Sequence, residues 1–300
     1  MLVDAHTAEN TSTDFLFNQF FYLKNESPKP LLFIDNVHMP KVLLSCVESN
    51  KGEYMSGFHA PFGGLEALPS APVELFLTET IADLRKQDIA SLEIKQAPFF
   101  YQPNVSIEIH NALVKCGFAE SATECNQYLV VDTNIQFDQH IDPQKRRRLK
   151  NAKKMGMYVA LLDHIDTSDW YKVYAEVRTD KGFPITISED KYNALYELMP
   201  HIYTYAGVYL DEILIATAIF VRVSKNVMYY FLAASAPDYA HLSPTVLLIE
   251  ALYIKAVQEK CTYVDLGISS VEGVLNEGLY AFKRHLRAEE CLKKNYRFTF

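Results

Sequence analysis

The sequence has few cysteines and no long apolar run, and both absences narrow the class of protein. Five cysteines are spread over 300 residues without a C-x-x-C pair, which argues against a disulfide framework and a zinc site. The longest apolar stretch, ILIATAIFV at 213–221, is far shorter than the ~20 residues that a bilayer span needs. The first residues lack the basic and apolar regions of a secretory signal. We therefore expect a cytoplasmic protein with buried thiols and no membrane span.

Basic residues are scarce in the first half of the chain only. Residues 1–139 hold 8 basic and 18 acidic residues, whereas residues 140–300 hold 21 and 19, within a total net charge of −8. The second half is therefore the better place for an anionic ligand. Its basic residues concentrate in KRRRLKNAKK, Lys145 to Lys154. That segment is either a solvated helix face or a local contact for phosphate or RNA.

The 49% hydrophobic content is enough for a sizeable core in two domains of ordinary size, and the second half has a consistent element order. The predicted elements are a strand at 157–162, helices at 168–182 and 188–199, strands near 202–209, 213–223 and 226–235, a helix at 243–259, a strand at 262–267, a helix from about Gly273 to Leu286, and a strand near 295–300. This order resembles the GNAT acetyltransferase fold, whose meander leads into a helix–strand–helix unit of a mixed sheet.

Parts of the first half repeat the second. The segment 71–96 reads as a helix and a strand, like 243–269 about 172 positions later, and NALVKCGF at 111–118 matches AFKRHLRA at 281–288. We therefore predict an α/β (α+β) fold of two tandem GNAT-like domains, each a mixed central β-sheet flanked by helices. The predicted division is a degenerate N-terminal domain at 1–139 and a C-terminal domain at 140–300 that carries the active site.

Tandem domains of this fold joined by a basic helix resemble the FemAB family of peptidoglycan aminoacyltransferases and their wider relatives. The resemblance covers most of the chain and rests on APFGGLE, KRRRLKNAKKMGMYV, VDLGIS and GLYAFKRHLRA. It implies transfer of an acyl or aminoacyl group from an activated ester or thioester to an amine, on a cell-wall precursor. Relatives that use transfer RNA can carry a helical-hairpin arm, and no long heptad insertion stands here.

In the GNAT fold the sheet opens between its fourth and fifth strands, here VMYYFLAAS and TYVDLG. An extended acyl donor can hydrogen-bond to the exposed strand edge, and the next helix points its N-terminus, an anion site, at the same slot. Ser243 suits the N-cap of that helix and Pro244 its first position. We therefore assign donor binding to His241, Ser243 and Thr245, with a solvated surface residue as the competing interpretation of His241.

The sequence does not decide which molecule carries the acyl group. Relatives that depend on coenzyme A have a glycine-rich loop before this helix, whereas no glycine stands between Ala236 and Val246. Acyl-CoA and aminoacyl-tRNA are both donors that the resemblance allows, and we expect no tightly bound cofactor or metal. The expected partners are a small-molecule or peptide amine as acceptor and transfer RNA as an open alternative, without DNA.

Phe282 and Lys283 stand where related acetyltransferases carry a catalytic Tyr on their last helix. FemAB-like proteins resemble this sequence in having Phe-Lys there, which implies that Lys283 acts at the transferred carbonyl. A preorganised cation contributes ~3–4 kcal/mol to an oxyanion-like transition state and can protonate the leaving group. Phe282 would narrow the slot and exclude water, and Leu113 takes the lysine's place in the first half. The alternative is a surface Lys283 beside a core Phe282.

The remaining site candidates bind the substrate. We assign this role to Tyr230 and Asp265, to Gly267, which allows close approach of a ligand, and to Arg178 and Lys181 in the loop over the slot. No general base stands in a distinctive motif. The alternative function is a non-catalytic ligand-binding protein that retains the duplicated GNAT fold.

Overall fold

The chain forms two compact units, each built from separate stretches of sequence. The computed structural model describes residues 1–87, 89–162, 168–199 and 201–300, without the side chains of residues 168, 196 and 198. Unit 1 comprises Met1–Asn126, Ile268–Asn276 and Glu290–Phe300, and unit 2 comprises Gln127–Gly267 and Glu277–Glu289. The predicted boundary at residue 139 stays a prediction.

The secondary structure follows the mixed pattern that was expected. The α-helices of the described stretches are α1 (Ala5–Asn10), α2 (Phe20–Glu26), α3 (Val73–Arg85), α4 (Ser106–Lys115), α5 (Phe137–His140), α6 (Pro143–Lys154), α7 (Ser168–Asp180), α8 (Glu189–Leu198), α9 (Pro244–Gln258) and α10 (Glu277–Arg284). Short 3-10 helices span Leu16–Asn18, Phe99–Tyr101 and Pro237–Leu242. The strands are β1 (Leu31–Ile34), β2 (Val42–Asn50), β3 (Glu53–Ser56), β4 (Leu65–Ala67), β5 (Ser91–Lys95), β6 (Ala119–Val130), β7 (Tyr158–Leu162), β8 (Tyr203–Leu210), β9 (Ile213–Ser224), β10 (Val227–Ser235), β11 (Tyr263–Ile268), β12 (Ser270–Val271), β13 (Val274–Leu275) and β14 (Glu289–Thr299).

Unit 1 is a mixed sheet with strand order β1-β2-β3-β5-β14, on which β4 pairs with β2. β3 runs parallel to β5, and the other pairs within this order are antiparallel. α3 buries Val73, Phe76, Leu77, Thr80, Ile81 and Leu84. Because these positions recur every three or four residues, one face of α3 packs on the sheet while the other stays exposed.

Within unit 2 the described strands follow the order β11-β10-β9-β8-β7, in which the pair β10–β11 is parallel and the other pairs are antiparallel. α9 packs on β8, β9 and β10 and also on α6, and α7 packs on β9 and β10. α9 is apolar around most of its circumference, with buried residues including Val246, Leu248, Leu252 and Tyr253. Such a helix is a core element rather than a surface helix, so α9 is held firmly beside the sheet.

Two predicted boundaries near the end of the chain are wrong. The last helix begins at Glu277 instead of Gly273, because β12 and β13 form a hairpin before it, and the last strand begins at Glu289 instead of 295. The hairpin turn consists of Glu272 with φ 52° and Gly273 with φ 77°. Positive φ at both central residues is typical of a type I′ turn, in which the second central residue is commonly glycine.

Candidate functional site

The two parallel strands of unit 2 separate at their C-terminal ends. Their pairing runs from Val227 and Tyr263 to Tyr229 and Asp265 and, among the described residues, does not continue further. β10 instead has an irregularity between Phe231 and Ala234, where the backbone of Leu232 is left-handed. A bulge that twists one strand away leaves backbone groups available between the strands. We call the opening beyond Tyr229 of β10 and Asp265 of β11 the slot.

Lys283 reaches the slot from α10. The inward stripe of this helix carries Tyr280, Lys283 and then Leu286 just past its end, at a spacing of three residues, and the lysine is only 4% exposed. Its Nζ donates a hydrogen bond of 2.8 Å to the carbonyl oxygen of Gly267. The alternative of a solvated Lys283 is therefore wrong, because its amine is buried at the end of β11.

Asp265 and Gly267 support this arrangement from the strand. Asp265 is fully buried, and its Oδ1 accepts a hydrogen bond of 2.8 Å from the backbone N–H of Gly267. Gly267 has φ +76°, and a Cβ at this position would lie 3.2 Å from the hydroxyl oxygen of Tyr229. Only glycine meets both conditions without strain, so the carbonyl that holds Lys283 depends on this residue.

The Tyr229 hydroxyl of β10 lies next to these groups, and Tyr230 follows it on the strand and packs against the core of unit 2. Burial, and then the negative charge of Asp265, raises the pKa of Tyr229. The pKa of Tyr230 is also raised by burial. Within the described part of the chain, the Tyr230 hydroxyl has no hydrogen-bond partner, and the same is true of Ser235 on β10 and Thr217 on β9. Because buried polar atoms are normally paired, these hydroxyls are groups that a ligand can satisfy.

The start of α9 differs from the predicted cap. Ser243 occupies the N-cap position and Pro244 the first helical position, but Ser243 has φ 61° and its side chain makes no capping hydrogen bond. A capping Ser adopts extended backbone geometry, so the left-handed conformation turns its hydroxyl elsewhere. The Ser243 hydroxyl accepts a hydrogen bond of 2.9 Å from the Nη1 of Arg148 instead. Of the other predicted donor-binding residues, Thr245 is half-buried and His241 is exposed.

The basic helix α6 brings a second lysine to Phe282. The Nζ of Lys145 lies 4.1 Å from the centroid of the Phe282 ring, a cation–π contact. Burial, and then the positive charge of Arg148, lowers the pKa of Lys145. Phe282 is half-buried and packs against the core of unit 2. Its ring contacts Lys145, and Lys283 is the next residue in the chain.

The loop that was predicted to begin at Arg178 begins later, because α7 continues to Asp180: Arg178 lies in the last turn of α7 and Lys181 directly follows the helix. Arg178 donates a hydrogen bond from Nε to the carbonyl oxygen of Pro184, and its guanidinium lies 5.7 Å from the Tyr174 ring. Arg178 therefore holds the loop that follows α7, while Lys181 is exposed. Ile187 at the end of the loop packs in a cluster with Ala234 of β10, which brings the loop to the bulge of that strand.

In unit 1 the corresponding slot is filled by the chain itself. β3 pairs with β5 from Glu53 and Ser91 to Ser56 and Ile94, and the chain then returns so that the Gly63 N–H donates to the carbonyl oxygen of Lys95 over 2.9 Å. The Leu65 N–H donates to Gln96 Oε1, and Gln96 Nε2 donates to the Leu65 carbonyl oxygen, both over 2.9 Å. An extended segment therefore occupies the position that an acyl donor would take.

Two further residues make the unit 1 slot unlike that of unit 2. A Cβ on Gly64, which has φ +84°, would lie 2.3 Å from Gln96 Oε1, so the glycine permits the close approach of the filling segment. Leu113 is fully buried where the repeat places Lys283 in unit 2. Among the described residues of unit 1, the slot is therefore filled and a leucine stands at the place of Lys283, which leaves unit 2 as the candidate site.

Sequence reasoning identified the basic segment 145–154 but singled out neither Lys145 nor Arg148, and it missed Tyr229. Lys145 shares the buried stripe of α6 with Leu149 and Ala152, spaced by four and three residues, and this spacing is the signal that was available. A groove of about 730 Å³ lies between α5, α6 and the second half of α9, but no predicted site residue lines it.

The described ranges contain no group of three side chains able to hold a metal ion. They also contain no helix whose length and apolar character would suit a membrane crossing.

Comparison with known proteins supports the same fold. Residues 143–284 match the family model described as an acetyltransferase (GNAT) domain. No curated protein matches the chain by sequence. FemX shares its fold at a TM-score of 0.72 and 10% identity, covering 100% of this chain and 97% of FemX. L-PGS from Bacillus licheniformis gives 0.62 at 9% identity, covering 98% and 91%.

A third structure bears on the duplication. The tandem GNAT protein from the clavulanic acid biosynthesis pathway has a TM-score of 0.55 and 12% identity, covering 91% of this chain and 84% of its own. The predicted fold, two tandem GNAT-like domains with mixed sheets, is therefore confirmed. The predicted resemblance to FemAB-like and GNAT-fold proteins is confirmed as well.

Proposed function

We propose that the protein is an acyltransferase that moves an acyl or aminoacyl group from an activated ester or thioester to an amine, with unit 2 as the working half. The observation that carries this proposal is the buried amine of Lys283 at the open end of the parallel strand pair, 2.8 Å from the Gly267 carbonyl oxygen. The acetyltransferase (GNAT) match over 143–284 and the fold shared with FemX support it.

The reaction requires a group that stabilises negative charge on the carbonyl oxygen of the donor. When the acceptor nitrogen attacks, a C–N bond forms and the carbonyl oxygen becomes an oxyanion. The Lys283 ammonium can donate a hydrogen bond to this oxyanion and stabilise its charge. The C–S or C–O bond to the carrier then breaks, and Lys283 donates a proton to the leaving sulfur or oxygen. The proton lost by the acceptor nitrogen passes to water. A proton from water then returns Lys283 to its charged form.

The slot supplies the position of the donor. Its backbone groups beyond Tyr229 and Asp265 suit an extended chain, and the buried hydroxyl of Tyr230 suits a polar group of the substrate. Phe282 is half-buried next to Lys283 and limits the access of water to the reacting carbonyl. In unit 1 the same space is occupied by the segment around Gly63, which supports one working half per chain.

The finer features of the reaction are part of the same proposal. The acceptor is a small-molecule or peptide amine, and the fold shared with FemX favours a cell-wall precursor. The donor carrier is coenzyme A or transfer RNA, both of which carry phosphate groups. A cytoplasmic location also belongs to the proposal.

The test combines purified protein with acyl-CoA thioesters or aminoacylated RNA and a panel of amines, with product detected by mass spectrometry. We expect one donor class to give an acylated amine that a Lys283→Ala preparation does not give. If RNA is the carrier, activity at limiting donor should fall steeply with salt, because phosphate contacts release counterions. A complete absence of product from every donor would favour the alternative of a non-catalytic binding protein.

A further inference from the structure

Tyr229 is, among the described residues, the last of β10 that pairs with β11, and its side chain belongs to the slot. It lies opposite Asp265, at the end where the two strands separate. Side chains alternate between the two faces of a strand, so Tyr229 points away from Tyr230, which packs against the core of unit 2. On the Tyr229 face, the ring centroid of Phe231 lies 5.9 Å from that of Tyr229. The Tyr229 ring is therefore held beside the open end of the strand pair.

The hydroxyl of Tyr229 reaches across the slot to Gly267. A Cβ on Gly267 would lie 3.2 Å from this hydroxyl oxygen, so the absence of a side chain on the glycine leaves room for the phenol. The carbonyl oxygen of the same glycine accepts the 2.8 Å hydrogen bond from the Nζ of Lys283. Gly267 therefore has two donors as neighbours, a phenol beside its α-carbon and an ammonium at its carbonyl oxygen.

Within the part of the chain that the structure describes, the Tyr229 hydroxyl makes no hydrogen bond. Burial, and then the negative charge of Asp265, raises the pKa of Tyr229, so the hydroxyl stays protonated near neutral pH. A protonated hydroxyl on a side chain that packing holds in place is a donor available to a ligand. The slot therefore offers a charged donor on Lys283 and a neutral donor on Tyr229.

We propose that the Tyr229 hydroxyl is a second catalytic donor, which together with the Lys283 ammonium binds the oxyanion that forms on the carbonyl of the acyl group. This inference rests on the proposed function, because it takes the slot as the place of that carbonyl. As the C–N bond forms, the phenol O–H donates a hydrogen bond to the oxyanion and keeps its own proton. When the C=O bond re-forms and the bond to the carrier breaks, the leaving sulfur or oxygen takes its proton from Lys283.

Tyr229→Phe tests this role, because it keeps the ring and removes only the hydroxyl. Single-turnover kinetics use the acyl-CoA or aminoacylated RNA donor, and the amine, that give product with wild type. We expect the chemical step to be about 100-fold slower, the scale of one lost oxyanion donor, at an unchanged donor Kd. Tyr263→Phe is the matched control and should transfer at the wild-type rate, because Tyr263 pairs with Val227 at the closed end of the same two strands.

A structural role for the hydroxyl predicts a different set of results. Because the hydroxyl has no hydrogen-bond partner in the described structure, ligand-free Tyr229→Phe should unfold at the same urea concentration as wild type. A slower chemical step at unchanged stability and unchanged donor Kd supports the inference. A slower step that comes with lower stability and weaker donor binding would assign the hydroxyl to the fold and overturn it.

Comparison with Lys283→Ala separates this inference from the proposed function. A wild-type rate in Tyr229→Phe, together with loss of transfer in Lys283→Ala, rejects the second donor and keeps the proposed enzyme. A slow step in Tyr229→Phe beside a normal step in Lys283→Ala keeps the hydroxyl as the oxyanion donor and rejects the role of the lysine. Wild-type protein that acylates no amine from any donor rejects both the inference and the proposed function.

Discussion

Replacing Gly267 with Ala should damage activity more than stability. Gly267 has φ +76°, which costs an L-residue roughly 1–2 kcal/mol, and the added methyl group would lie 3.2 Å from the Tyr229 hydroxyl oxygen. We expect the unfolding free energy to fall by about that amount. The backbone must also shift at the carbonyl oxygen that holds Lys283 at 2.8 Å. A displacement of ~1 Å at a reacting group lowers turnover about 100-fold.

Gly156→Ala provides a matched control for this variant. Gly156 has φ +84°, but a Cβ there would meet nothing within 4 Å, and the residue lies in the turn between α6 and β7. Both variants carry the left-handed backbone cost, so urea denaturation should show similar losses of stability for the two. Steady-state turnover should fall only for Gly267→Ala. Equal turnover in the two variants would refute the idea that the Gly267 carbonyl positions Lys283.

Two other predictions concern buried polar groups. Burial raises the pKa of Glu66 to about 7. Between the ordinary value of 4.5 and 7 the folded state then binds more protons than the unfolded state, so the unfolding free energy should decrease by up to about 3 kcal/mol as pH rises through this window. Urea denaturation at pH 5 and pH 8 should show this decrease in wild type and in the exposed-site control Glu74→Gln, but not in Glu66→Gln. If the unfolding free energy of wild type and that of Glu66→Gln change to the same extent between pH 5 and pH 8, the raised pKa of Glu66 is contradicted. Tyr230→Phe removes a hydroxyl that has no partner in the described structure, so the ligand-free variant should be as stable as wild type, or more stable by about 1 kcal/mol. Its affinity for the donor, measured by calorimetry, should decrease; unchanged affinity together with lower stability would mean that the hydroxyl serves the fold.

Local periodicity made most of the fold predictable. The order of strands and helices from 157 to 267 follows from alternating and helical apolar patterns, and the repeat between the halves identified a duplicated fold. The errors lie where a short turn decides the boundary. Glu272 and Gly273 form the turn of a hairpin, so the last helix begins only at Glu277. The two-residue signal was present, but the flanking strands have only two residues each and give no pattern of their own.

The candidate site was predictable in part, because tertiary packing decides which side of a helix is buried. Lys283 falls on a stripe with Tyr280 and Leu286, a spacing that was visible in the sequence, but the sequence analysis left its direction open and the structure decides it. For KRRRLKNAKK the packing of α6 on α9 selects Lys145 for burial among several neighbouring cations, and no composition rule distinguishes them. The left-handed backbone of Ser243, which redirects its hydroxyl to Arg148, is likewise a tertiary feature.

The central claim, that the Lys283 amine stabilises charge as the acyl group moves, is tested most directly by single-turnover kinetics with donor prebound. Lys283→Ala is compared with Arg284→Ala, in which the next, exposed cation of α10 is removed. We predict a chemical step at least ~100-fold slower for Lys283→Ala at an unchanged donor Kd, on the scale of a lost oxyanion-hole donor, and a normal step for Arg284→Ala. A Lys283→Ala variant that transfers the acyl group at the wild-type rate would contradict the claim.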